Sequence, residues 1–338
     1  MNNFWSLVGF EYKKIFVRKS VLIAVLLALI ATIFSVFTLV MGINPNTGIS
    51  NYKEMLIDKE YSLAFSGTPL DKRLILKASK AYQTIPDGVY PYSDSVEYEK
   101  YARPYNSVYT LIDSTYAECG NGFDTNDLQE ISEEDANSFY EKRINQYRIN
   151  LENNSNFTKG NVDRIIEADN QIKKPFIMEY TDGYERFFSF STTNAFIVMF
   201  LIAFILSPMF VNEYSQRTDS LILTSKNGKT SQIYAKIFTG VSFSIAISTF
   251  FLLIGYFLCM CVYGFDGANS PIQLHIPLLT YNFTMIEVAM ILFATTIFGG
   301  FLMTAICFYL SSAMNNSIVV LAVSVTVVLL GMFNGIFP

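Results

Sequence analysis

The sequence predicts an α-helical polytopic membrane protein: an N-terminal interfacial amphipathic helix, five transmembrane helices and a mainly helical extracellular domain between the first two spans. Three observations carry this reading. Of 338 residues, 51% are hydrophobic and only 16% charged, with a mean hydropathy of +0.31, more apolar than a soluble domain of this size requires. The apolar residues gather into runs long enough to cross a ~30 Å hydrocarbon core as helices. Outside the polar middle of the chain, the basic residues flank those runs on one side only, as retention of Lys and Arg in the cytoplasm demands.

Residues 1–20 form the first element. Phe4, Trp5, Leu7, Val8, Tyr12, Ile15 and Phe16 are set against Glu11, Lys13, Lys14, Arg18 and Lys19. That pattern is a helix lying in the membrane interface, with Trp5 and Tyr12 suited to the headgroup level. Residues 21–41 follow, 21 residues without a charge. This run exceeds the ~7–15 residues of a cleavable signal's apolar region and ends in TLVMGINPN without a small-x-small site, so it reads as a retained first span. The remaining spans are placed at 187–212, 237–263, 285–311 and 318–337, with a polar strip at 213–236 and a loop at 264–284. Gly331 and Gly335 put a GxxxG pair in the last of them, a spacing that permits close helix packing.

Charge fixes the orientation. Four bases precede the first span (Lys13, Lys14, Arg18, Lys19) and four lie in the strip (Arg217, Lys226, Lys229, Lys236); the other 16 are in residues 42–186 and none follows Lys236. With the N-terminus cytoplasmic, alternation puts 213–236 inside, 42–186 and 264–284 outside, and every base beyond the middle region on the cytoplasmic side. The middle region carries a net charge of −8 and the rest of the chain +3; long domains translocate regardless of their own bases.

The extracellular domain, residues 42–186, is large enough to fold. Ser132, with Asp135 three residues on, opens a helical pattern through Phe139, Ile144, Tyr147 and Leu151. NVDRIIEADNQIKK stops at Pro175, and DKRLILKASKAYQTIPDG is a third helical stretch ended by Pro86 and Gly88. Between them lie Tyr90, Tyr92, Tyr98, Tyr101, Tyr105 and Tyr109. Tyr98, Tyr101 and Tyr105 are candidate ligand contacts, because tyrosine joins apolar area to a hydrogen-bonding tip; the plainer alternative is that these rings form the domain's core and underside. Two N-x-S/T patterns, at Asn153 and Asn156, bear on glycosylation only in a secretory eukaryotic setting.

Enzyme classes find little support. The GKT at 228–230 is not a phosphate loop, since Leu223 stands where the first glycine is needed and apolar runs flank the stretch. The sole histidine, His275, is in the outer loop, and HExxH is absent. Cys119 has no partner cysteine in the middle region, and Cys259, Cys261 and Cys307 lie in spans as small apolar residues. Glu287, near the outer end of the fourth span, reads either as a water-facing side chain or as a further candidate ligand contact.

The order of parts resembles the permease subunit of a type 2 ABC exporter. Permeases of that class carry, after the second span, a Glu, a Gly/Arg-Thr-like step, a Leu-Leu-Ser/Thr-rich turn, a basic residue and a Lys opening the third span. Here these are Glu213, Arg217-Thr218, Leu221 to Ser225, Lys226 and Lys236. The resemblance implies that the strip, including Asp219 and Lys229, couples to a separate ATPase subunit present in two copies, which would hold the ATP and Mg, this chain binding no cofactor itself. It implies a second permease, identical or homologous, a bacterial cytoplasmic membrane, no nucleic-acid partner and no catalysis by this chain. The exported substrate would be an antimicrobial peptide, a lipid or a drug. The class also implies a sixth span, whereas this sequence shows five. Two alternatives stay open: a mechanotransmission ABC permease, and a non-transporting sensor or immunity protein that captures an extracellular ligand.

Overall fold

The computed structural model describes residues 2–45, 47–86, 95–116, 131–154, 156–215 and 230–333. Among them every regular element is helical, with isolated β-bridges but no strand. The α-helices are α1 (Asn2–Phe16), α2 (Lys19–Phe37), α3 (Asn51–Ala64), α4 (Lys72–Tyr82), α5 (Asn106–Tyr116), α6 (Glu133–Asn137), α7 (Phe139–Glu152), α8 (Lys159–Ala168), α9 (Asp182–Leu206), α10 (Pro208–Ser215), α11 (Ser231–Tyr263), α12 (Met285–Ala313) and α13 (Ser317–Phe333). Four stretches are long and apolar enough to cross a membrane: Lys19–Phe37, Asp182–Glu213, Ser231–Tyr263 and Met285–Ala313. They mark the chain as a helical membrane-embedded protein.

Among the described residues that number is four, where the sequence reading has five. The fifth predicted run, 318–337, extends past the last described residue and forms α13, whose 17 described residues rise ~25 Å at ~1.5 Å each. Gly331 has open space where a Cβ would be, and Gly335 is outside the described residues. The second span is interrupted at Ser207, because Pro208 has no N–H to donate and its ring crowds the carbonyl four residues back.

The chain divides into two compact units, Met1–Val36 with Arg186–Val262 and Ala289–Pro338, and Phe37–Glu185 with Tyr263–Val288. In the first, α9 supplies the largest share of the core: Val198, Leu201, Ile202, Ala203, Ile205 and Leu206 are buried against Phe243 and Phe251 of α11, Met303 and Cys307 of α12, and Val21 and Ala28 of α2. Glycines set how closely these helices approach. A Cβ on Gly255 would lie 2.1 Å from the Phe190 ring, and one on Gly240 would lie 2.1 Å from the Phe308 ring, so each phenylalanine fills the notch that a missing side chain leaves.

The second unit is the polar middle domain, and the loop 264–284 belongs to it. Its core joins Leu74, Ile75 and Ala78 of α4, Val108, Leu111 and Ile112 of α5, and Phe139 of α7 to Phe176 and Met178. Asp71 caps α4 by accepting from Leu74 N at 3.0 Å. The single helix expected from Ser132 onward is two, because the Ser138 hydroxyl bonds Glu134 O at 3.0 Å and its backbone leaves the helical region. α3 and α5 were not legible in the sequence.

Ser132 and Asp135 form the expected box: Ser132 Oγ accepts from Asp135 N at 3.1 Å and Asp135 Oδ2 accepts from Ser132 N at 3.0 Å. The Lys142 ammonium first, then the Ser132 hydroxyl and N–H, hold the Asp135 carboxyl down at about 2. The unfolded value is ~3.9. A folded-state value below the unfolded one means that this stabilisation is complete above about pH 4 and is lost as the pH falls through ~2. A carboxyl carbon NMR titration is expected to show an Asp135 midpoint near 2 that rises in Ser132→Ala; an ordinary midpoint in the native chain would refute the box as a charge-stabilising device.

Candidate functional site

The site is built on α1. Its apolar stripe packs onto α11, with Trp5 edge-to-face on Phe238 at 5.5 Å between ring centroids and on Phe4 at the same distance. Tyr12 shares a 2.7 Å hydrogen bond with Ser242 Oγ, and Phe16 stacks on Tyr12 and meets Phe243. Trp5 and Phe10 remain more than half exposed, as interfacial anchors are, and Lys13 points to the exposed side.

The polar side of α1 turns inward onto four charges. Lys14 Nζ lies 2.8 Å from Glu11 Oε1 and 3.3 Å from Glu213 Oε1. Lys236 Nζ lies 2.6 Å from Glu213 Oε1 and 3.4 Å from Glu11 Oε2, and donates to Met209 O at 3.1 Å. Gln232 Nε2 also reaches Glu213, at 3.4 Å. Glu11 and Lys236 are only 2% and 1% exposed. The Lys236 ammonium further sits over the Phe210 ring at 5.4 Å and that of Lys14 over Phe10 at 4.8 Å, so the apolar walls carry part of the solvation the ammonium groups lose.

This network fastens three elements to one another: α1, the end of α10 and the first turns of α11. The latter two bracket the strip at 216–229. Of the residues that the sequence singles out for coupling, Glu213 is in the network, while Arg217, Asp219, Leu221, Lys226 and Lys229 lie outside the described residues. Sequence reasoning places Lys236 at the opening of a span, as the last residue of the motif that carries the resemblance, and Glu11 on a polar helix face, and pairs neither with Glu213. One signal was available for each. Glu11 is the only acid before residue 54, and Lys236 is followed by a long apolar run.

The other candidates are dispersed. Tyr98 is half-buried, its N–H on Ser95 Oγ at 2.9 Å, and burial first, then Asp58, pushes its phenol up. Tyr101 is exposed beneath the Lys100 ammonium, and Tyr105 packs on Phe65 at 5.1 Å. Between them Arg103, buried, bonds Asp58 at 2.7 Å, Glu99 at 2.7 Å and Glu54. Tyr109 belongs to the core, edge-to-face on Tyr82 at 5.3 Å. Tyr90 and Tyr92 are outside the described residues. Glu287 caps α12, accepting from Thr284 N at 2.8 Å. No family model, curated protein or solved structure matches this chain.

Proposed function

We propose that the chain is the permease subunit of an ATP-driven exporter, with its N-terminus and the 216–229 strip on the cytoplasmic side and the middle domain outside. One observation carries this reading: buried ion pairs bind α1, α10 and α11 together on either side of that strip. A force applied to the strip by a partner ATPase reaches two long apolar helices and the interfacial helix together, since breaking the network would strand charges from which water is largely excluded. ATP and Mg belong to that partner. Two copies of this chain, or this chain and a homologue, would enclose the pathway, and the substrate class is a peptide, lipid or drug.

Purification in mild detergent with the native neighbours is expected to bring an ATPase subunit near one-to-one stoichiometry. In that complex Glu213→Ala is expected to lower substrate-stimulated ATP hydrolysis by on the order of fivefold or more, the scale of a coupling free energy, without loss of membrane insertion. Arg217→Ala is expected to act in the same direction. A chain that purifies alone and takes up no added ATPase would instead favour a ligand-capturing sensor.

A further inference from the structure

A cleft of about 610 Å³ opens beside the ion-pair network, between α1, α10 and the first turn of α11, within the range of small-ligand sites. Leu7, Phe10, Ile15, Val17 and Met209 give it an apolar wall; Glu11, Lys14, Arg18 and Glu213 give it a charged one. The charges do not balance. Glu11 and Glu213 are matched by Lys14 and Lys236, whereas Arg18 has no carboxylate partner among the described residues. Its Nη2 donates to Ile205 O at 2.7 Å, and its Nε is buried without an acceptor. Burial without a counter-ion pushes the Arg18 guanidinium below its ordinary value.

The place of Arg18 is equally informative. It stands at the bend between α1, which ends at Phe16, and the apolar α2, which begins at Lys19. Where an amphipathic helix turns into a spanning one, headgroups and the first acyl carbons meet the protein. We propose that the cleft binds the phosphate headgroup of an anionic phospholipid, with Arg18 as its anchor and the acyl chains along Leu7, Phe10 and Val17. A guanidinium offers a fork of N–H donors that suits phosphate oxygens, and a basic pocket between helices at the cytoplasmic surface recruits anionic lipid. The inference rests on α2 being a membrane span and requires no ATPase, so its failure and that of the exporter reading are separable.

The test uses the full chain in mild detergent, with phosphatidylglycerol, phosphatidylcholine or sodium phosphate added, bound lipid counted by native mass spectrometry and thermal unfolding recorded in parallel. Phosphatidylglycerol is expected to be retained at about one per chain and to raise the unfolding midpoint. Arg18→Gln is expected to weaken its binding about tenfold, the loss of one charge-assisted hydrogen bond. Lys13→Gln removes the same charge from a residue that does not line the cleft and is expected to change nothing. Leu7→Trp fills the cleft without altering charge and is expected to displace the lipid, which keeps the test open if Arg18→Gln fails to fold. Equal losses in Lys13→Gln and Arg18→Gln, equal retention of phosphatidylcholine, or the same Arg18-dependent stabilisation by phosphate alone would each overturn the assignment.

Discussion

Lys236→Met is expected to destabilise the helical bundle by roughly 3–5 kcal/mol, the scale on which breaking a buried ion pair by removing one partner is felt. The cause lies in what is left behind. Glu11 stays buried, and among the described residues the ammonium that remains beside both carboxylates is that of Lys14, whose side chain is 40% exposed. Methionine keeps most of the aliphatic stem, so the loss reports the charge rather than the packing. Thermal unfolding of the purified chain should show a midpoint lower by at least several degrees. Adding Glu11→Gln to Lys236→Met should recover part of the loss, because the stranded carboxylate is then gone. An unchanged midpoint in Lys236→Met would mean that the network contributes no stability, and with it would go the argument that α1, α10 and α11 move as one body.

Arg143→Met is the second large effect, in the middle domain. Arg143 is fully buried; its Nη1 donates to Pro277 O at 2.7 Å, its Nη2 pairs with Asp169, and the guanidinium lies over the Phe176 ring at 5.3 Å. Asp169 is itself buried and, among the described residues, keeps the Lys174 ion pair when the arginine is removed. The expected cost is again roughly 3–5 kcal/mol, with the Pro277 carbonyl left unpaired. Hydrogen exchange should quicken across Phe139–Glu152 and across 272–281 together, since Arg143 joins them. Faster exchange confined to α7 would show that the loop 264–284 is held to the domain by other contacts.

These two residues also show where sequence reading stops. Hydropathy located the long apolar helices because an uncharged run of such length is stable only where water is excluded, and the cap at Ser132 follows a local rule. It drew the boundary of the third span at 237, however, whereas α11 begins at Ser231. Lys236 therefore falls inside a helix rather than at the end of a loop. Arg143 reads as one more solvated charge on a polar helix, and nothing local announces that Asp169 and Pro277 converge on it. α3 escaped notice for a related reason: none of its residues is buried, so no apolar stripe marks it. The site is legible only in part because its partners are far apart in the chain, and periodicity carries no information about such pairs.

The separation of Glu11 from Lys236, 225 residues, has a consequence for biogenesis. As the chain emerges from the ribosome, α1 is complete long before the lysine that neutralises its buried carboxylate has been made. Until α11 arrives, Glu11 has only Lys14, one turn away, and burying that incomplete set would carry an uncompensated desolvation cost. That cost disfavours docking of α1 against the bundle until α11 is in place.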